Sequence, residues 1–224
     1  MQKFDTTAPV TTVIDLPAGR VQIIAADRTD TTVEIRPAAP AKSRDTRAAE
    51  QIEVTHGDDG VLRIAAPAPK NQYFGPSGSV EITVQLPAGS HVEAKSGAAE
   101  FRAVGRLGGV VFQGAHGPVK IDEAASIRLT AADSDITVGR LTGPAEISTQ
   151  KGDITIAEAL TGSVVLSTQT GDITVGTSAS ASASLDAGTS YGRVHNTLKN
   201  TEGAHAGLAI RATTAHGDIT ARSL

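Results

Sequence analysis

The chain of 224 residues carries a formal net charge of −4 at pH 7, is 39% hydrophobic and contains no cysteine. These values exclude the basic surface that a nucleic-acid backbone requires, and they exclude disulfides and thiolate metal sites. Because only 3% of the residues are aromatic and 23 are glycine, Val, Ile, Leu and Ala must fill the core, which favours a thin core between closely stacked strands.

Residues 11–36 alternate between apolar and polar with the two-residue period of half-buried strands, and turn residues interrupt the pattern at 17–19 and 27–30. We expect three short strands in this segment. Between residues 37 and 49 the alternation stops, so a loop with at most one helical turn is expected. The inward side chains of the three strands are predicted to be Val13, Leu16, Val21, Ile23, Val33 and Ile35.

A hairpin is predicted next, because strand-like segments at 51–55 and 61–65 flank the Gly-Asp-Asp-Gly turn at 57–60. The irregular segment that follows holds Tyr73 and Phe74, which either cover the end of the core or form a surface contact. A strand at 79–86 then leads into Pro-Ala-Gly at 87–89, which repeats the corner at 17–19. We therefore expect residues 1–95 to begin or cap the structure that follows.

Residues 96–224 contain an internal repeat of about 18 residues, and its clearest phrase is Gly-Asp-Ile-Thr. A unit of this length holds two short strands and two turns but no helix crossover. The repeat therefore predicts an all-β solenoid of the parallel β-helix or β-roll type, with essentially no helix. Each strand is expected to pair with the equivalent strand one coil later in the chain. The corners align at residues 117, 134, 152, 171, 192 and 217.

The alternation within each coil assigns inward and outward side chains. Threonines at 137, 155, 174 and 220 are expected to form a ladder on the outer face. In the Ser-Ala run at 178–184, the register predicts a strand, whereas composition alone fits a flexible linker. The inward residues of that strand would be Ala179, Ala181, Ala183 and Leu185. The inward ladder is predicted to consist of Ile136, Val138, Ile154, Ile156, Ile173, Val175 and Ile219.

Glycine and aspartate mark the corners of the repeat. Aspartates in glycine-rich β-rolls bind calcium, but those repeats place Gly and Asp in every turn of about nine residues. Here one Asp occurs per coil, so we expect structural corners, in which the Asp side chain bonds the backbone of its own corner, and no metal site. The predicted corner residues are Gly152, Asp153, Gly171, Asp172, Gly217, Asp218 and Asp135.

Motifs that carry chemistry are absent from the sequence, which has no Gly-x-Ser-x-Gly, His-Glu-x-x-His or phosphate-loop pattern. Some β-helices cleave polysaccharides with carboxylates in a groove, but Glu146, Lys151, Asp153 and Asp172 recur with the fold period, as structural residues do. By register, His116 and His216 lie five coils apart, too far to share a metal. We predict no catalytic residue and no cofactor.

The Thr-x-x-Gly-Asp-Ile-Thr units at 149–156, 168–175 and 214–221 resemble a bacterial family of β-strand-repeat proteins known as putative adhesins, a domain of unknown function. Residues 79–94 and 107–109 are similar to the segment that precedes the repeats in that family. The resemblance implies a right-handed parallel β-helix or roll. The chain departs from an adhesin by showing no export signal, anchor or membrane span, so a cytoplasmic location is expected.

The repeat without attached chemistry favours a non-enzymatic scaffold or interaction module. Open solenoid ends expose strand edges, so self-association through the ends, as a dimer or a filament, is expected. The alternative is a carbohydrate- or cell-envelope-binding protein that uses a Ser/Thr/Asn-rich face, with a protein or glycan as partner. A polysaccharide-cleaving enzyme is the third hypothesis.

Overall fold

The computed structural model of the chain describes residues 1–57, 59–67 and 78–224. In these residues, seventeen strands form one unclosed sheet, accompanied by one α-helix and a single 3₁₀ turn at Gly203–His205. No helix in the described residues is long and apolar enough to cross a membrane. The strands are β1 (Gln2–Asp5), β2 (Thr11–Ala26), β3 (Asp30–Pro37), β4 (Glu53–His56), β5 (Val61–Ala65), β6 (Val80–Pro87), β7 (His91–His116), β8 (Val119–Asp133), β9 (Ile136–Leu141), β10 (Ala145–Lys151), β11 (Ile154–Ala159), β12 (Gly162–Thr170), β13 (Ile173–Thr177), β14 (Ala183–Tyr191), β15 (Val194–Thr197), β16 (Leu208–His216) and β17 (Ile219–Ser223).

The α-helix, α1 (Ser43–Gln51), corrects the expectation of essentially no helix. Its sequence has few apolar residues, so no amphipathic stripe marked it, although its face with Ala48 and Ala49 packs against the core. In its first turn, the Asp45 side chain is buried, and its Oδ1 accepts the Ser79 N–H at 3.0 Å. This bond ties the helix to the start of β6.

The middle of the chain stacks as the repeat predicts. Two strands joined at a corner make one coil, and equivalent residues of neighbouring coils pair in parallel. Ile154 pairs with Ile136 on one side and with Ile173 on the other, so the inward side chains form a continuous column. All seven inward residues named above are at most 1% exposed.

At the C-terminal part of the chain, the order of coils in space differs from their order in sequence. Strands β16 and β17 lie between the β12–β13 coil and the β14–β15 coil, since Ile219 pairs with both Ile173 and Val194. The expectation that every coil stacks on the next one in sequence was therefore wrong. The long connection at 198–207 brings the chain from β15 back to the position between the two earlier coils, so that β14 and β15 form the end of the stack.

The Ser-Ala run at 178–184 is not a strand over residues 178–182. The Ala181 N–H donates to the Ser178 carbonyl at 3.0 Å, which makes a turn, and β14 begins only at Ala183. Ala179 is exposed and Ala183 is buried. The strand prediction was wrong here because the chain must turn away from β13 to reach the end of the stack, leaving room for the inserted coil.

The N-terminal part shows the same exchange of order. Strand β2 is continuous through 17–19 and lies between β7 on one side and the coil of β5 and β6 on the other: Ile14 pairs with both Ile64 and Ala94. Ile14 and Leu16 face inward, whereas Val13, predicted inward, is only half-buried. Val13 and Leu16 are three positions apart and cannot share one face of a strand.

Antiparallel strands close this end of the stack. The hairpin of β4 and β5 is confirmed, and β3 covers the outer edge of β6, with Ile35 opposite Ile82. Strand β1 then pairs with β3, where Arg28 and Lys3 contact Asp30 at 2.8 and 3.2 Å. The hydrogen bond from Arg28 and, to a smaller extent, the one from Lys3 lower the pKa of the Asp30 carboxyl to about 2. We call this side of the stack the capped end.

Two further expectations concern the same region. The Pro-Ala-Gly turns are not equivalent corners: Gly19 pairs with Ala99 between the two halves of a coil, whereas the Ala88 N–H bonds the Ala26 carbonyl where one coil passes to the next. Tyr73 and Phe74 lie outside the described residues. The predicted boundary between residues 95 and 96 falls inside β7, which belongs to the same sheet as the strands on both sides.

We predict that Gly171→Ala destabilises the fold by at least about 2 kcal/mol, since Gly171 has φ +150° and an added Cβ would lie 2.1 Å from the Gly152 carbonyl oxygen. Urea unfolding followed by circular dichroism measures the change. The control is Gly188→Ala, where a Cβ meets nothing within 4 Å and the expected change is within about 0.5 kcal/mol. Equal destabilisation by both substitutions would contradict the close stacking of the corners.

Candidate functional site

The corner aspartates form a ladder of hydrogen bonds between coils. Oδ1 of Asp135 accepts the Asp153 N–H at 3.1 Å, and Oδ1 of Asp153 accepts the Asp172 N–H at 2.7 Å. Oδ1 of Asp172 accepts the Asp218 N–H, also at 2.7 Å. The predicted bond to the corner backbone thus exists, but it reaches the next coil in space instead of closing the residue's own turn.

A second ladder, which sequence reasoning missed, runs in the opposite direction. The hydroxyls of Thr168, Thr214 and Thr189 donate to the carbonyls of Gly152, Gly171 and Gly217, at 3.2, 3.0 and 3.0 Å. Each carbonyl belongs to the corner of the neighbouring coil on the side of the capped end. The signal was present in the sequence, since a threonine stands three positions before the glycine in every Thr-x-x-Gly-Asp-Ile-Thr unit.

The corner aspartates and the threonines of the repeat thus have a structural role, because their side chains form hydrogen bonds to backbone groups of neighbouring coils. Among the described residues, no group of three or more His, Asp or Glu side chains could hold a metal ion. His116 and His216 lie four coils apart, not five, because the last coil is inserted. The outward threonines pair in register, Thr155 with Thr137 and with Thr174.

The ladder of aspartates ends at the β14–β15 coil. Asp218 Oδ1 accepts the Arg193 N–H at 2.8 Å, and the Arg193 guanidinium donates to Oδ2 at 3.2 Å. The hydrogen bond from the Arg193 N–H lowers the pKa of the Asp218 carboxyl most, and the hydrogen bond from the Arg193 side chain lowers it further. Arg193 itself occupies the position of the corner Asp, so this coil carries no carboxylate for a further coil. In the described residues, no further coil pairs beyond β14 and β15.

The core is open to solvent at this end. Val194 stands in the column of Ile219 and Ile173, which are 1% and 0% exposed, yet Val194 is 45% exposed. Leu185, in the column of the buried Ile210, is only half-buried. Tyr191 is 71% exposed and stacks on His216, with ring centroids 4.9 Å apart and planes 9° apart. We call the outer side of β14 and β15 the open end.

The strands at the open end also have free edges. In the part of the chain that the structure describes, β14 pairs only with β16 and β15 only with β17. Residues 183–197 contain neither proline nor lysine, the residues with which natural proteins protect an edge. The two charged residues, Asp186 and Arg193, pair with Arg211 and Asp218 of the coil beneath. The open end thus presents an unprotected strand edge beside exposed apolar side chains.

A surface groove of about 1,750 Å³ lies elsewhere, between α1 and the coils near the capped end. It is lined by charged and amide side chains, including Arg47, Lys95, Gln113 and Gln150, and by the buried Ser96. Its lining in the described residues includes no aromatic ring, the usual platform for a sugar.

Stacked two-strand coils with corner ladders define a β-rich, solenoid-like repeat protein. Residues 106–222 match the family model described as Toastrack DUF4097. Because this match spans more than half of the chain, the chain belongs to that family, and the family resemblance predicted from the Thr-x-x-Gly-Asp-Ile-Thr units is confirmed. The match includes the open end. No curated protein matches the chain.

Several solved structures are similar to the chain at low sequence identity. One is a putative cell adhesion protein from Clostridium sporogenes, with 13% identity, a TM-score of 0.41, and 100% of this chain and 98% of that chain covered. Another is a putative adhesin from Bacteroides fragilis, with 15% identity, a TM-score of 0.46, and 100% and 95% covered. A putative adhesin from Parabacteroides distasonis has 14% identity, a TM-score of 0.49, and 98% and 95% covered.

We predict that Asp218→Asn lowers the midpoint temperature of thermal unfolding at pH 7. The difference in midpoint between the variant and the native chain is expected to narrow once the pH falls below 3.8, the ordinary pKa of Asp. The folded-state pKa is lowered, so the contribution of the carboxylate is present above the ordinary value and is lost as the pH falls through the lowered one. Circular dichroism melts between pH 7 and pH 2 measure the gap. A gap independent of pH would contradict the role of the charge; the control is Asp133→Asn, whose carboxylate is 3.9 Å from Lys151 Nζ.

Proposed function

We propose that the chain is a non-enzymatic parallel β-solenoid of the β-helix type that serves as an interaction scaffold and docks a β-strand at its open end. The observation that carries the proposal is the exposure of Val194 in a column whose other members are buried. An exposed apolar position beside an unpaired strand edge offers a template for pairing with another strand.

Support for the scaffold comes from the repeat itself. Equivalent strands pair in parallel over the middle coils, with one register shift between Ile156 and Ala159, and such stacking of equivalent strands is typical of a repeat solenoid. The residues that would be candidates for chemistry, Asp153, Asp172 and Asp218, use an oxygen to hold the backbone of the adjacent coil. A structural role for them favours a non-enzymatic module.

A β-strand is the partner that fits the open end. A free edge offers backbone N–H and C=O groups that an added strand satisfies, while neighbouring side chains supply specificity. Val194 and Tyr191 are the exposed apolar side chains beside that edge. The capped end shows that this stack accepts such a strand, because β3 and β4 cover the edges of β6 and β5 there.

The probe for strand docking is a synthetic peptide with the sequence of residues 183–197 and blocked termini, titrated into the isotope-labelled protein. We expect saturable NMR shifts of the β14 and β15 amides, and about tenfold weaker binding to Val194→Lys, since a buried valine contributes about 1.5 kcal/mol. The matched control is Val165→Lys, because Val165 is 37% exposed on β12 in the middle of the stack. Absent shifts, or shifts at β3 and β6 instead, would overturn the proposal.

A further inference from the structure

We infer that the strand docked at the open end belongs to a second copy of this chain, and that two copies join open end to open end about a two-fold axis, with β14 antiparallel to its counterpart. This inference rests on the proposed function, because it names the partner of the same surface. It narrows the predicted self-association, as a dimer or a filament, to a closed dimer.

The asymmetry of the two ends supports closure at two copies. At the capped end, β3, β4 and β1 occupy the edges of the last coil, so that side offers no free edge of β5 or β6 to a neighbour. A two-fold dimer uses both open ends and leaves both capped ends outward. Among the described residues, a further copy would then find only the outer edges of β1 and β4, which are four residues each, and very short edge strands disfavour pairing.

The corner residues indicate antiparallel pairing of the two copies. From Asp135 onward, each corner aspartate accepts the backbone N–H of the adjacent coil, as Asp172 accepts the Asp218 N–H; the earlier corner with Pro118 has no such acceptor. The β14–β15 coil has Arg193 at this position, and its side chain points back to Asp218. A parallel coil would therefore meet no acceptor at the corner. Antiparallel strands need none, because their ladders use only backbone groups, as in the pairing of β3 with β6.

The side chains of the open end are compatible with their own copy. Leu185 and Ala187 are partly buried against the core, and Val194 is 45% exposed, so a second copy would complete the burial of the column. Residues 183–197 carry one Asp and one Arg, each paired with the coil beneath. Two copies thus bring no unpaired like charges together, although each whole chain carries −4.

Sedimentation equilibrium over a range of concentrations tests the inference. We expect a reversible rise of mass from 22.8 kDa to twice that value and no further. Val194→Lys is expected to weaken association at least tenfold, while Val165→Lys and Val111→Lys, which alter exposed valines away from the open end, leave it unchanged. Circular dichroism establishes that each variant is folded.

The outcomes separate the inference from the proposed function. A native chain that stays monomeric at millimolar concentration, yet shows peptide shifts at β14 and β15, would overturn the second copy and leave the docking edge intact. A monomeric chain without peptide shifts would overturn both. Assemblies larger than two copies would overturn the closed dimer, and so would association that Val194→Lys does not weaken.

Discussion

The close approach of successive corners is the constraint on which the rest of the structure depends. At Gly152, Gly171 and Gly217, an added Cβ would lie 2.1 to 2.2 Å from a carbonyl oxygen of the neighbouring corner. Because no side chain intervenes, the Asp carboxylate of one coil reaches the backbone of the next, and the Thr hydroxyl reaches the corner carbonyl on the other side. The units at 168–175 and 214–221 thus make one bond in each direction along the stack, whereas in the unit at 149–156 the Thr149 hydroxyl donates to the Lys151 carbonyl of its own coil.

The sequence could predict which residues are equivalent, but not which coils touch. Ile154, Ile173 and Ile219 were assigned to one column because the repeat places them at the same phase, and they are paired there. The repeat encodes the same contact surface on every coil, so any coil can neighbour any other by that criterion. The exchanged order at both ends depends on connections such as 198–207, which carry no periodic signal. The length of helix α1 was not predicted for a related reason, since its charged sequence shows no apolar stripe.

One detail of the sequence does point to the end of the stack. A corner aspartate is useful only where another coil follows, because its oxygen accepts the N–H of that coil. The coil at 208–223 has Asp218 and lies inside the stack, whereas the coil at 183–197 has Arg193 and lies at its end. Among the corners from Asp135 onward, the corner residue distinguishes the internal coils, which have Asp, from the terminal one, which has Arg193.

Hydrogen exchange of the folded chain in dilute solution tests this order of coils most directly. Amides of Ile219–Ser223 and Val194–Thr197 occupy equivalent positions in adjacent coils. If β17 lies between two coils and β15 at the open end, the β17 amides will exchange at least about tenfold more slowly, although they come later in the chain. Faster exchange of β17 than of β15, as in a stack that frays in sequence order, would contradict the account.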